Sequence, residues 1–184
     1  EGTLMRVLFI SNRNRHFENT NTYREKAIFD LGHESIFFDH NRFFLPGRIR
    51  ENLPLLHRWD LKRLNNLLLD TVKETRPDVC LSVGGYYNLP ETITALKELG
   101  ISTVLWTTDA PDEYFTHIIE TAHLYDRIFC AGTEAMELLA ENRVLNTEWL
   151  PFACDPFYHR PIQLDDDQKN RLARDIVFVG SYYP

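Results

Sequence analysis

A chain of 184 residues with 43% hydrophobic and 26% charged side chains has an ordinary globular composition and room for one substantial core. Its formal charge of −7 and isoelectric point near 5.5 exclude a protein whose main business is gripping nucleic-acid phosphates by general charge attraction, so no nucleic-acid partner is expected. No apolar run approaches the roughly 20 residues of a membrane-crossing helix, so no membrane span is expected either. The opening residues show no charged-then-apolar leader, and Glu1–Leu4 read as an addition ahead of a start at Met5. Cys80, Cys130 and Cys154 are odd in number and lack C-x-x-C spacing, and two fall in apolar strand-like runs. A reduced, cytoplasmic protein is the reading.

Short apolar runs alternate with longer segments of helical period, the pattern of parallel strands covered by helices. Met5–Ile10 is the first predicted strand. Thr22 and Glu25 have the spacing of a capping box, for a helix ending near Leu31 ahead of Gly32. A second strand, Glu34–Phe38, precedes an aperiodic stretch to Pro54 that reads as a long loop. Apolar residues from Leu61 to Val72 recur at three- and four-residue intervals, predicting an amphipathic helix over about 58–75. Asp78–Val83 is the third strand. Asn88 and Glu91 repeat the capping pattern before a helix running to Leu99.

Ile101–Trp106 is the fourth strand, Pro111 opens a helix to about Ala122, and Arg127–Ala131 is the fifth strand. Thr133 begins a helix ending near Glu141, and Glu148–Leu150 is a short sixth strand. Residues 163–170 are polar enough to read as a linker. Asp175–Val179, followed by Gly180 and Ser181, looks like the first strand of a second α/β unit. The expected sheet is doubly wound and parallel, with about six strands in the order 3-2-1-4-5-6. Residues 5–162 form the first domain, and 163–184 hold a linker and the start of another.

In such a sheet, ligands bind where loops leave the carboxyl ends of the strands. Four loops qualify: Ser11–Arg15, Gly84–Asn88, Thr107–Asp112 and Gly132–Thr133. The first lacks the G-x-G-x-x-G that lets a backbone approach a pyrophosphate, but Arg13 and Arg15 can meet a phosphate through side chains. They can equally be solvated loop arginines. Gly84 and Gly85 permit positive φ and close approach of a ligand, with Tyr86 and Tyr87 able to stack on it. The competing reading is a tight turn that merely needs glycine. Asp109 follows the fourth strand, where a carboxylate can accept a hydroxyl proton. It can also simply cap the next helix, whose amino end favours Asp112 and Glu113. His117 and His123 are six apart and do not share a helical face, so no metal site is expected.

The segments Trp106–Asp112 (Trp-Thr-Thr-Asp-Ala-Pro-Asp), Leu150–Pro156 with His159–Pro161, and Asp175–Ser181 occur in an order that resembles CgeB-like spore-maturation glycosyltransferases. The likeness extends over nearly the whole chain, which would be the first half of a typical member. It implies a Rossmann-like domain forming the N-terminal half of a GT-B fold. Such a domain mostly binds the acceptor, while the second domain holds most of a nucleotide-sugar donor. Carried over by motif, Asp109 takes the catalytic or acceptor-orienting position and Gly84 and Gly85 line the cleft. Asn12 and Arg13 face donor phosphates, while Pro151, Phe152 and Asp155 shape the crossover to the second domain. The donor is a substrate, and no resident cofactor is implied.

The rival expectation is a non-catalytic flavodoxin-like module binding a nucleotide, sugar or protein through the same edge. Residues 175–179, an apolar strand without its own sheet, are expected to be disordered or to add to a sheet edge, with self-association as one outcome.

Overall fold

Six short runs rich in β-branched and aromatic residues become parallel strands: β1 (Arg6–Ser11), β2 (Glu34–Asp39), β3 (Val79–Val83), β4 (Ser102–Thr107), β5 (Arg127–Cys130) and β6 (Thr147–Trp149). The computed structural model describes residues 3–178 apart from 15, 17, 110 and 112–114, with residue 51 described by its backbone alone. It divides into two units, Glu1–Ala153 and Cys154–Pro184. The first holds the sheet and is a doubly wound α/β, Rossmann-like fold.

The strand order is β2-β1-β3-β4-β5-β6, which corrects the expected 3-2-1-4-5-6. β3 lies directly on β1, with Val7 opposite Val79 and Ile10 opposite Ser82, while β2 flanks β1 on its other side. The reason lies in the composition of β2. An interior strand of a parallel sheet is buried on both faces, but β2 opens with Glu34 and Ser35, and only its Phe38 is fully buried. It is suited to an edge.

Helix α1 (Thr20–Asp30) starts two residues before the expected Thr22, and its cap is Asn19, whose side chain accepts from the backbone N–H of Asn21 and Thr22. Glu25 closes no capping box; it turns inward and pairs with Arg13. The stretch expected to be a long loop contains α2 (Gly47–Asn52). Just before α2, buried Asp60 accepts from the N–H of Phe44 at 2.9 Å and of Leu45 at 2.8 Å. Asp60 belongs to α3 (Pro54–Thr75), which opens on proline and stops at left-handed Arg76.

Helix α4 (Pro90–Glu98) has no side-chain cap, so the expected role of Asn88 is also corrected. The buried Asn88 amide instead donates to Ser82 Oγ and to the Tyr125 hydroxyl, both at 2.8 Å. Helices α5 (Phe115–Ala122) and α6 (Thr133–Glu141) complete the layer.

Right-handed crossovers place helices on opposite faces according to the direction in which the chain steps across the sheet. Moving from β1 to β2, α1 packs Ile28 on Val7, Phe9 and Val83. Every later crossover steps the other way. Leu64, Leu68 and Val72 of α3 therefore cover Leu8, Ile10 and Cys80 on the opposite face. Farther along that face, Ile118 of α5 and Leu139 of α6 cover Leu105 and Ile128. Burial pushes the Cys80 thiol up to about 12, so it acts as a small apolar filler.

In the second unit, α7 (Asp166–Leu172) occupies residues expected to be a linker. Asp165 and Gln168 form a reciprocal capping box there. Residues 175–178 are in neither helix nor strand, and Ile176, Val177 and Phe178 are exposed. Val179 of the expected strand, and Gly180 and Ser181 after it, lie outside the described residues. No helix among the described residues is long and apolar enough to cross a membrane.

Truncating Asn88 to alanine would remove the amide that bonds the buried Ser82 and Tyr125 hydroxyls, and burial already raises the Tyr125 pKa enough to keep that group neutral. Asn88→Ala is expected to cost about 2–4 kcal/mol in urea denaturation. An unchanged midpoint and slope would contradict this account of the β3–α4 turn.

Candidate functional site

The carboxyl ends of β1, β3 and β4 surround an open cavity of about 480 Å³. It sits where the direction of winding reverses, between β1 and β3, which is the position at which open α/β sheets bind ligands. Ser11 and Asn12 close it from β1, Val83 and Gly84 from β3, and Thr108 and Asp109 from β4. Helix α1 contributes Thr20, Asn21 and Arg24.

The α1 side is rich in donors. Ser11 follows Val7 and Phe9 at two-residue intervals and so shares their face, the one beneath α1. It is fully buried, and among the described residues its Oγ has no hydrogen-bond partner. Asn12 is tied to the helix start, its Oδ1 accepting from Asn21 Nδ2 at 2.6 Å. The Arg24 guanidinium donates to Asn21 Oδ1 and lies 4.4 Å from the centre of the Trp106 ring. Burial lowers its pKa and the charge of Asp109 acts in the other direction; an arginine remains a cation regardless.

The opposite wall is the turn after β3. Gly84 and Gly85 both hold positive φ, +82° and +77°. Gly84 lines the cavity. Gly85 faces the core, where an added Cβ would come within 2.5 Å of Leu105 Cδ1. This turn aims the Tyr86 hydroxyl at Asp109, donating to Oδ2 at 3.2 Å. Asn65 of α3 secures the turn's far end by donating to Tyr87 O at 2.8 Å and accepting from Leu89 N at 3.0 Å. The Tyr87 ring meets His40 edge-on at 5.4 Å. Burial lowers the His40 pKa, with Asp39 opposing, so a neutral imidazole lines this wall near neutral pH.

Of the residues expected from the sequence, Asn12, Gly84, Tyr86 and Asp109 are brought together. Gly85 shapes the same turn from beneath. Arg13 is turned away, paired with Glu25 and 3.9 Å above the Phe37 ring. Arg15 and Asp112 lie outside the described residues, as do most residues bearing on a capping role for Asp109. The Gly132–Thr133 loop does not line the cavity, whereas Phe152 does. In the second unit, Asp155 Oδ1 accepts from Phe157 N at 2.8 Å and Tyr158 N at 3.0 Å, making a local turn. Sequence reasoning placed Ser11 in a candidate loop without giving its side chain a role, and it missed Arg24. The signal for Arg24 was its spacing: Thr20, Asn21 and Arg24 share one face of the first turn after β1.

No family model matches this chain, and no curated protein matches it. Solved structures similar to it include Glycyrrhiza uralensis UGT73P12 complexed with glycyrrhetinic acid 3-O-monoglucuronide, at 11% identity and a TM-score of 0.45, covering 79% of this chain and 48% of that one. The Streptomyces sp. SF2575 glycosyltransferase SsfS6, complexed with thymidine diphosphate, is similar at 14% identity and a TM-score of 0.44, covering 70% and 50%. A signal receiver domain of a modulated diguanylate cyclase from Desulfovibrio desulfuricans is similar at 14% identity and a TM-score of 0.42, covering 77% and 98%. The chain thus spans about half the length of the two glycosyltransferases. At these scores none of the three is a basis for a function.

Two consequences of the site geometry are open to measurement. Gly85→Ala places a side chain at positive φ against Leu105 and is expected to cost about 1–3 kcal/mol in thermal or urea unfolding; wild-type stability would contradict the close packing. The His40 proton signals are expected to titrate with a midpoint below 6.5. Because the fold holds the neutral form, this group's contribution is complete above 6.5 and is lost as pH falls through the folded value. A midpoint at or above 6.5 would contradict the burial of this imidazole.

Proposed function

We propose that the unit bearing the cavity is the acceptor-side domain of a glycosyltransferase, which moves a sugar from a nucleotide-sugar donor to an acceptor hydroxyl. One observation carries the reading: at the open rim of a switch-point cavity, the exposed Asp109 carboxylate is held on one oxygen by the Tyr86 hydroxyl at 3.2 Å. A carboxylate fixed in that way can accept the proton of an acceptor hydroxyl as its oxygen attacks the anomeric carbon and the bond to the leaving diphosphate breaks. The resemblance noted at Trp106–Asp112 supports the same role for Asp109.

A donor-side domain, beginning within residues 163–184, would supply most of the nucleotide contacts. Among the described residues lining the cavity, Arg24 is the cation that can meet a leaving diphosphate or a bound acceptor, while Arg13 is paired with Glu25. The reaction as drawn uses protein cations and amide dipoles and requires no metal.

A second reading is favoured by the strand order. The run β2-β1-β3-β4-β5 is the flavodoxin-like order, whose ligand also sits at the β1/β3 switch point, and a binding module would need no base. Asp109→Asn separates the two. Transfer from, or hydrolysis of, UDP-sugars is expected to fall by about 10²–10⁴-fold in steady-state assays. Turnover at the wild-type rate would remove Asp109 from the chemistry.

A further inference from the structure

The cavity carries an unusual imbalance of polar groups. Arg24 brings five N–H donors, and among the described residues its hydrogen-bond acceptor is Asn21 Oδ1. Asp109 acts on it through space. The first turn of α1 holds no acidic side chain, and its Thr20 and Asn21 line the cavity with the positive end of the helix dipole behind them. Beneath them Ser11 Oγ is fully buried and has no partner among the described residues. A buried hydroxyl without a partner is destabilising, so this end of the cavity suits something that accepts hydrogen bonds.

The far side differs in kind. Asp109 and Tyr86 present a carboxylate and a phenol, and Tyr86 and Tyr87 present rings, whereas Phe152 lies beside Arg24, 5.6 Å from its guanidinium. One end of the cavity therefore suits an oxyanion, and the other suits a hydroxylated ring with an apolar face. We infer that the cavity takes a polyol bearing an oxyanion, an acidic or phosphorylated sugar. Its anionic group sits between Ser11, the amino end of α1 and Arg24, and its hydroxyls face Asp109 and Tyr86. Calling this molecule the acceptor rests on the transferase reading; its charge does not.

Titration calorimetry of the chain with glucose, glucuronate, glucose 1-phosphate and glucose 6-phosphate tests the inference. At least one charged sugar is expected to bind about tenfold or more tighter than glucose. A preference for the phosphates identifies a phosphoester as the oxyanion, and a preference for glucuronate identifies a carboxylate. Arg24→Gln is expected to erase most of the advantage of the charged sugar and Arg24→Lys to keep part of it. Ser11→Ala is expected to weaken charged-sugar binding while leaving the melting temperature equal or higher, a pairing that a merely structural serine would not give.

Equal affinity for glucose and its charged forms overturns the inference, as does an Arg24→Gln variant that keeps the preference. Failure of all three charged sugars to bind up to about 10 mM overturns it as well. Binding of charged sugars without transfer would retain the inference and remove the transferase reading. Transfer to neutral acceptors that ignores Arg24→Gln would do the reverse.

Discussion

Because β2 and β3 lie on opposite sides of β1, the chain must leave β1 in one direction and later cross back over it in the other. Right-handed crossovers then send α1 and α3 to opposite faces, and no crossover runs above the carboxyl ends of β1 and β3. The opening is thus a consequence of topology before any particular side chain is considered. Its chemical character comes from the residues at and just after the ends of those strands. β1 finishes on a buried serine, β3 on two glycines and β4 on a short polar loop leading to Asp109.

The rim is held by polar groups that are buried and satisfied. Asp60 fixes the stretch before α2, Asn65 the end of the turn after β3, and Asn88 joins β3 to Tyr125. Each is a single side chain bonding to backbone or hydroxyl groups on another segment, and each would leave several orphans if lost. The two glycines divide the work. Gly85 lets the turn settle on Leu105, and Gly84 brings backbone to the cavity wall. Against this frame, Ser11 Oγ is a buried group without a partner among the described residues, as are His33 Nδ1 and Arg50 Nε, and of the three it is the one on the cavity wall.

The sequence displayed the elements more clearly than their arrangement. The four interior strands were visible as apolar runs, because buried parallel strands must be apolar on both faces, and the two edge strands, β2 and β6, as more polar ones. Their order was not, since neighbour choice depends on which strand can tolerate an edge, and the polar start of β2 was the clue. Capping patterns misled twice. Thr22 with Glu25 and Asn88 with Glu91 have box spacing, but Glu25 is drawn off by Arg13, and Asn88 by two buried hydroxyls. Tertiary partners outbid local ones. The site was half legible: loops following strands pointed to Asn12, Gly84, Tyr86 and Asp109. Arg24 comes from a helix, a place that loop-centred reasoning passes over.

The central claim is that the β1/β3 opening, rather than another surface, is where this protein meets its ligand. Amide chemical-shift mapping during titration with sugar phosphates and sugar acids tests it directly. The account predicts shifts concentrated at Ser11–Asn12, Thr20–Arg24, Gly84–Tyr87 and Thr108–Asp109, converging on the walls of one cavity. Saturable shifts confined to the β5–β6 edge or to Cys154–Pro184, with Ser11, Arg24 and Gly84 unmoved, would contradict it.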